Sequence, residues 1–216
     1  GEISDQGKRN DLTPACEMIK AGARLKQVAQ DHPEQFVRFH KGLIALKNIL
    51  IEPRQTKPEI RIYYGSKGCG KSYAARQWLG WEADDDPPFV WSPACKHWFD
   101  GYEGEDKVIF EEFRGQLPFG LLLNMTDRYS CKLEYKGGIV QFPATKICFT
   151  SPIHPKDWYS YEDMKGDEAL DQLLDRIDDR NIVHFAGASK RKCSEKPLEE
   201  YVCLQPAKMK GFVVKG

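Results

Sequence analysis

The segment Gly65-Ser66-Lys67-Gly68-Cys69-Gly70-Lys71-Ser72 constrains this chain more than any other part of it. It satisfies the pattern G-x-x-x-x-G-K-[ST] in full. An alternating apolar run, Ile60, Ile62 and Tyr64, leads into it, and a helix is expected from Ser72 to Leu79. Strand, glycine-rich turn and helix in that order make a phosphate cradle. The glycines let the backbone fold around an anion with its N–H groups turned inward, and the helix N-terminus adds positive potential. Gly65, Ser66, Lys67, Gly68, Cys69, Gly70, Lys71 and Ser72 are therefore the candidate ATP-binding residues. Lys71 would reach the β- and γ-phosphates, and the Ser72 hydroxyl would ligate Mg²⁺. A plain glycine-rich surface turn is the alternative, and the flanking strand and helix argue against it.

Such a loop needs acidic partners to hold the metal and to activate water. Val108-Ile109-Phe110-Glu111-Glu112 offers them, inside an apolar strand expected over Val108–Phe113. Glu111 would hold Mg²⁺ through water, since Mg²⁺ keeps much of its hydration shell. Glu112 would be the general base. An ordinary surface pair of glutamates is the bland reading. Further on, Lys132–Tyr135 and Ile139–Phe142 flank Lys136-Gly137-Gly138, the pattern of a β-hairpin with a glycine turn. Lys136 at its tip, with Lys132 and Tyr135 beside it, either grips the phosphates of a nucleic-acid single strand or is a solvated turn lysine. Arg176, in Leu173-Leu174-Asp175-Arg176-Ile177, either pairs with Asp175 or Asp179 or reaches a neighbour's γ-phosphate as an arginine finger.

The remaining pattern divides the chain into a polar linker at 1–10, a helical unit at 11–52, an α/β unit at 58–186 and a lysine-rich tail at 187–216. Thr13-Pro14 is a helix start, with Gly22 as its stop. A short helix is expected over Leu25–Asp31, and Pro33 opens a third. Phe36, Phe39, Leu43, Leu46 and Leu50 step along that third helix by three and four. This stripe is either the core of a small bundle or a face for a neighbouring subunit. Pro53 and Pro58 bracket a charged hinge, and an acidic loop spans Asp84–Pro88. A helix after Pro118 carries Leu121, Leu122 and Met125; a buried strand is expected over Ile147–Thr150. A helix over Ala169–Asp178 then leads to a strand over Ile182–Phe185, and the tail offers a strand at Tyr201–Leu204. Strands alternating with helices predict an α/β fold with a mostly parallel central sheet.

Composition narrows the function. The 216 residues carry equal numbers of acidic and basic side chains, for a net charge of zero. A whole-surface basic field is thus absent, and any nucleic-acid site must be local. Seven cysteines occur without a C-x-x-C pair, and Cys95 with His97 lacks a second ligand pair for zinc, so reduced thiols are expected. No apolar run is long enough for a membrane span.

The order of these motifs resembles the superfamily 3 helicase region of Rep proteins from circular single-stranded DNA viruses, especially circovirus-like ones. Asp31-His32-Pro33 with Phe36-Val37-Arg38 resembles their small helical oligomerisation domain. Trp98-Phe99-Asp100-Gly101-Tyr102 resembles the tryptophan-rich segment between their two Walker motifs. Glu111-Glu112-Phe113-Arg114-Gly115 with Leu117-Pro118 resembles Walker B and its exit, and Glu134-Tyr135-Lys136-Gly137-Gly138 the DNA-contacting B-prime hairpin. Phe149-Thr150-Ser151 followed by Trp158-Tyr159 resembles motif C, and Leu174–Ile177 the arginine-finger segment. The resemblance covers roughly residues 5–186. It implies an AAA+-like P-loop NTPase, preceded by the oligomerisation domain. It also implies a homo-hexameric ring on single-stranded DNA, ATP between subunits, 3′-to-5′ unwinding in rolling-circle replication, and residence in the host nucleus.

Two departures from the family pattern stand out. Glu111-Glu112 replaces the usual Asp-Asp, and Pro152 occupies the place where relatives often carry an asparagine that senses the γ-phosphate. Proline has neither a side-chain donor nor an N–H, so Thr150 or Ser151 is expected to supply that contact. The paired histidines of the family's nicking endonuclease are not found, and such a domain is expected upstream of Gly1. An ATP-driven DNA helicase is the leading reading. A ring-forming DNA scaffold that binds ATP but hydrolyses it weakly is the alternative, and a small-molecule kinase leaves the hairpin and the N-terminal helices without a role.

Overall fold

The computed structural model describes residues 11–81, 87–129, 131–160 and 168–186. The expected linker at 1–10, Asp84–Asp86 of the acidic loop and the tail with its strand at Tyr201–Leu204 lie outside the described residues.

The described chain opens with helices α1 (Thr13–Lys20), α2 (Leu25–Asp31) and α3 (Pro33–Leu50). Pro14 and Pro33 sit in first turns, where a missing N–H costs nothing. Ala15, Ile19, Val28 and Leu43 form the core of this unit, with Phe36, Phe39 and Leu46 packed against it. The expected stripe on α3 is therefore core from Phe36 to Leu46, whereas Leu50 is exposed.

The α/β unit follows in the order β1 (Glu59–Gly65), α4 (Lys71–Trp78), β2 (Phe89–Trp91), β3 (Lys107–Phe110), α5 (Phe119–Thr126), β4 (Lys132–Tyr135), β5 (Gly138–Gln141), β6 (Lys146–Ser151), α6 (Glu168–Leu174) and β7 (Ile182–Phe185). Five strands form one sheet in the order β2-β3-β6-β1-β7, and β4 and β5 form a separate antiparallel hairpin. All four pairings in the five-stranded sheet are parallel. Alternation along β1 and β6 sends Ile60, Ile62, Ile147 and Phe149 to one face and Tyr63 and Cys148 to the other. The first face is an aromatic core: Phe110 stacks on Phe149 at 4.7 Å, and Phe113 stands edge-on to Trp158 at 4.8 Å. The second face is covered by Ala74, Ala75 and Leu79 of α4 and its exit.

Three expectations change. β2 escapes sequence patterning because Phe89–Trp91 is too short for a two-residue period to register. β3 ends at Phe110 rather than Phe113, because Glu112 takes a left-handed φ of 52° and leaves the ladder. α6 stops at Leu174 rather than Asp178; Arg176 and Ile177 instead close tighter turns onto the Leu173 and Leu174 carbonyls.

The segment between α3 and β1 is fastened rather than free. Arg54, 6% exposed, donates to the carbonyls of Ala144 (2.5 Å), Met125 (3.0 Å) and Asp127 (2.8 Å), and lies over the Phe142 ring. The N-terminal helices reach the α/β unit through Arg24–Glu105 at 2.6 Å and Lys47–Glu103 at 3.3 Å. Arg54→Ala strands buried carbonyls and is expected to cost about 3 kcal/mol. The check is the urea midpoint at unchanged m-value; a change too small to measure would mean that the three carbonyls find other donors.

Candidate functional site

Parallel strands all present their carboxyl ends on one edge, and in open α/β sheets ligands bind there, where the chain turns off in opposite directions from one strand. β1 is that strand: the chain goes from it to β2 at one edge of the sheet, and β7 flanks its other side. The loop Gly65–Ser72 leaves the end of β1 and enters α4. Gly65 has φ 144°, and a Cβ there would lie 2.3 Å from the Phe185 carbonyl oxygen of β7, so no other residue fits. Gly70, at φ 99°, turns the loop into the helix at Lys71. Lys71 is 5% exposed, and its ammonium donates to the Gly65 and Ser66 carbonyls at 2.8 Å each, with Cys69 Sγ at 3.7 Å. The sulfur is the weakest acceptor of the three, so it is the partner a phosphate oxygen would displace most cheaply. Ser72 lies half-buried in the first turn of α4.

The two glutamates leave β3 in a turn. The Glu111 N–H is bonded to the Trp91 carbonyl, and its Oε1 meets Arg76 at 2.7 Å. Arg76 projects from α4, donates also to the Ser72 carbonyl at 3.3 Å, and lies over the Trp81 ring. Glu111 is thereby held beside the phosphate loop. Sequence reasoning missed Arg76, although its place on the helix after the loop was a usable signal. The Glu112 N–H donates to Thr150 Oγ1 at 3.2 Å, its carbonyl accepts from Gln116, and its carboxylate is half exposed, 4.0 Å from Arg114. A non-glycine residue in this backbone region costs roughly 1–3 kcal/mol, and such strain concentrates at functional sites.

Thr150 and Ser151 part company. Thr150 is wholly buried; its hydroxyl faces Glu112 and its carbonyl accepts from the Phe113 N–H at 2.8 Å. Ser151 follows on the opposite face, where its hydroxyl donates to the Ile153 carbonyl at 2.7 Å and accepts from Trp158 Nε1 at 3.0 Å. The expectation of a phosphate contact therefore passes to Thr150 alone, because successive residues of a strand point to opposite faces.

The hairpin corrects a second expectation. Lys132 and Glu134 are exposed and Leu133 is buried, so Tyr135 turns inward. Its hydroxyl accepts from Asn48 Nδ2 of α3 at 3.0 Å, and its ring crosses the position a Cβ on Gly138 would take. Tyr135 thus fastens the hairpin to α3, leaving Lys132 and Lys136 as the candidate strand contacts. Lys136 is exposed at the tip. Arg176 pairs with Asp127 at 2.9 Å and donates to the Leu123 carbonyl, rather than pairing with Asp175 or Asp179. Among the described residues no three His, Cys, Asp or Glu side chains gather to hold a metal, and no helix is long and apolar enough to cross a membrane.

A five-stranded parallel sheet with a glycine-rich phosphate loop at the end of β1, and β6 between it and the acidic strand β3, defines the P-loop NTPase fold. Residues 62–153 match the RNA helicase family model. The chain is 37% identical over 208 residues to the replication-associated protein of porcine circovirus 2, covering 95% of this chain and 62% of that protein. It is equally 37% identical to the replication-associated protein of porcine circovirus 1, over 95% of this chain and 63% of that one. It is 34% identical to that of human associated cyclovirus 1, over 76% of this chain and 59% of its relative. The chain is thus similar to the two porcine circovirus replication-associated proteins over 95% of its own length, and it spans somewhat under two thirds of the length of the relatives named here.

The Arg76–Glu111 contact is testable by a double-mutant cycle of Arg76→Ala and Glu111→Ala in urea unfolding. A coupling of about 0.5–1 kcal/mol is expected for a partly exposed pair. Strict additivity would show that Arg76 does not hold Glu111.

Proposed function

We propose that this chain is the ATP-driven helicase portion of a Rep protein, working as a homo-oligomeric ring, with six subunits as the family resemblance implies, on single-stranded DNA. The single observation that supports this best is the convergence of Lys71, Ser72, Glu111, Glu112 and Thr150 at the carboxyl ends of the neighbouring strands β1, β6 and β3. Lys71 and the loop N–H groups of Gly65–Ser72 would bind the triphosphate; Ser72 and Glu111 would hold Mg²⁺, which shields the phosphate charge when bound.

Glu112 is the proposed general base. Its N–H is held by Thr150, so the carboxylate projects from a fixed backbone toward solvent, where it can accept a proton from water. Thr150 Oγ1, which accepts from Glu112, keeps its own hydrogen to donate to a phosphate oxygen, and so would supply the contact Pro152 cannot make. Arg176 would serve a neighbouring subunit's nucleotide only on leaving Asp127 and the Leu123 carbonyl. A nicking domain upstream and action in the host nucleus belong to the same proposal. A DNA scaffold with weak hydrolysis is the second reading, favoured by Pro152 alone.

Lys71→Ala removes the cation at the centre of the phosphate loop. Binding of a fluorescent ATP analogue with Mg²⁺ is expected to weaken more than about tenfold, the loss of one charge-assisted phosphate contact. Wild-type affinity in that variant would refute nucleotide binding by this loop.

A further inference from the structure

The lysine at the hairpin tip already has an anion on it. Asp100 accepts the Lys136 backbone N–H on Oδ1 at 2.8 Å, and its Oδ2 lies 3.4 Å from the Lys136 ammonium. A strand phosphate gripping this turn would use the same two donors, one from the backbone and one from the side chain. Asp100 is not a chance neighbour. The adjacent Phe99 is fully buried, and its N–H is bonded to the Glu134 carbonyl of β4 at 2.9 Å. Gly101, at φ 83°, turns the chain away immediately afterwards. The segment leads from β2, which pairs with the acidic strand β3, so the carboxylate is carried on a loop wired at one end to the sheet and at the other to the hairpin.

We propose that Asp100 is a built-in competitor for strand phosphate at Lys136, holding the tip lysine in a self-neutralised position that DNA must displace. This rests on the reading of Lys136 as a DNA contact. The pair is 72% exposed on Lys136 and 45% on Asp100, so its attraction is modest, and a strand phosphate, which carries the same single charge but belongs to a polyanionic backbone, can replace it. Lys136 is then kept off other anions and presented to a strand in one geometry. A chain of zero net charge whose DNA grip is local gains selectivity from such a contact.

The test is anisotropy of a fluorescein-labelled oligothymidylate titrated with the full chain at several salt concentrations. The variants are Asp100→Asn, Lys136→Ala and the double variant. Asn keeps a carbonyl oxygen for the Lys136 N–H, so the turn stays capped while the charge is removed. Asp100→Asn is expected to tighten binding about two- to fivefold and to steepen the salt dependence. Lys136→Ala is expected to weaken binding, and in its background Asp100→Asn should change nothing. If Lys136→Ala weakens binding but Asp100→Asn has no effect, Asp100 is only a turn cap and the inference falls while the DNA reading stands. If Asp100→Asn tightens binding equally in both backgrounds, the effect is a general field and the inference also falls. If Lys136→Ala leaves affinity unchanged, the DNA reading of the hairpin itself fails, and this inference with it.

Discussion

Two hydrogen bonds to one buried threonine set the geometry of the whole candidate site. Thr150, at the end of β6, takes the Glu112 N–H on its hydroxyl and the Phe113 N–H on its carbonyl. Because β6 lies between β1 and β3, these bonds tie the exit of the acidic strand to the strand beside the phosphate loop. Phe113 is thereby drawn back into the aromatic core against Phe149 and Trp158. Glu111 and Glu112 are left in a turn outside the ladder, facing the loop edge. A burial of rings on one side and two backbone hydrogen bonds on the other thus hold a strained residue in place, as a pre-organised site requires.

A second theme is charge held in reserve. Arg76 carries Glu111, Asp100 carries Lys136, Asp127 carries Arg176, and Arg114 stands near Glu112. Each pair is at least partly exposed, so each is weak and exchangeable. A chain with equal acidic and basic counts can then present local charge to phosphates without a global field. The N-terminal helices take part in this arrangement, because Asn48 of α3 holds Tyr135 at the base of the hairpin tip.

Much of the fold was legible because its signals are local. The phosphate loop announces itself through glycines that only one backbone path explains, and Gly65 meets the Phe185 carbonyl as that path demands. The three N-terminal helices follow from Pro14, Pro33 and the stripe through Leu43. What the sequence hid depends on partners far along the chain. Arg76 acquires meaning only from Glu111, Asp100 from Lys136, and Arg176 from Asp127. Two misplacements were avoidable in principle. Alternation separates Thr150 from Ser151 and turns Tyr135 inward beside Leu133, so the period of two already held the answer. The short β2 and the early end of β3 were not available locally, since one is set by pairing and the other by the Thr150 clamp.

The central claim is that these residues turn over ATP and that a DNA strand is coupled to that turnover. The most direct measurement is steady-state ATP hydrolysis with and without single-stranded DNA, at protein concentrations high enough for subunits to assemble, for wild type and Glu112→Gln. Turnover should rise with DNA and disappear in Glu112→Gln while nucleotide binding is retained. Hydrolysis that persists undiminished in Glu112→Gln, or nucleotide binding by the wild type with no turnover in either condition, would contradict the claim.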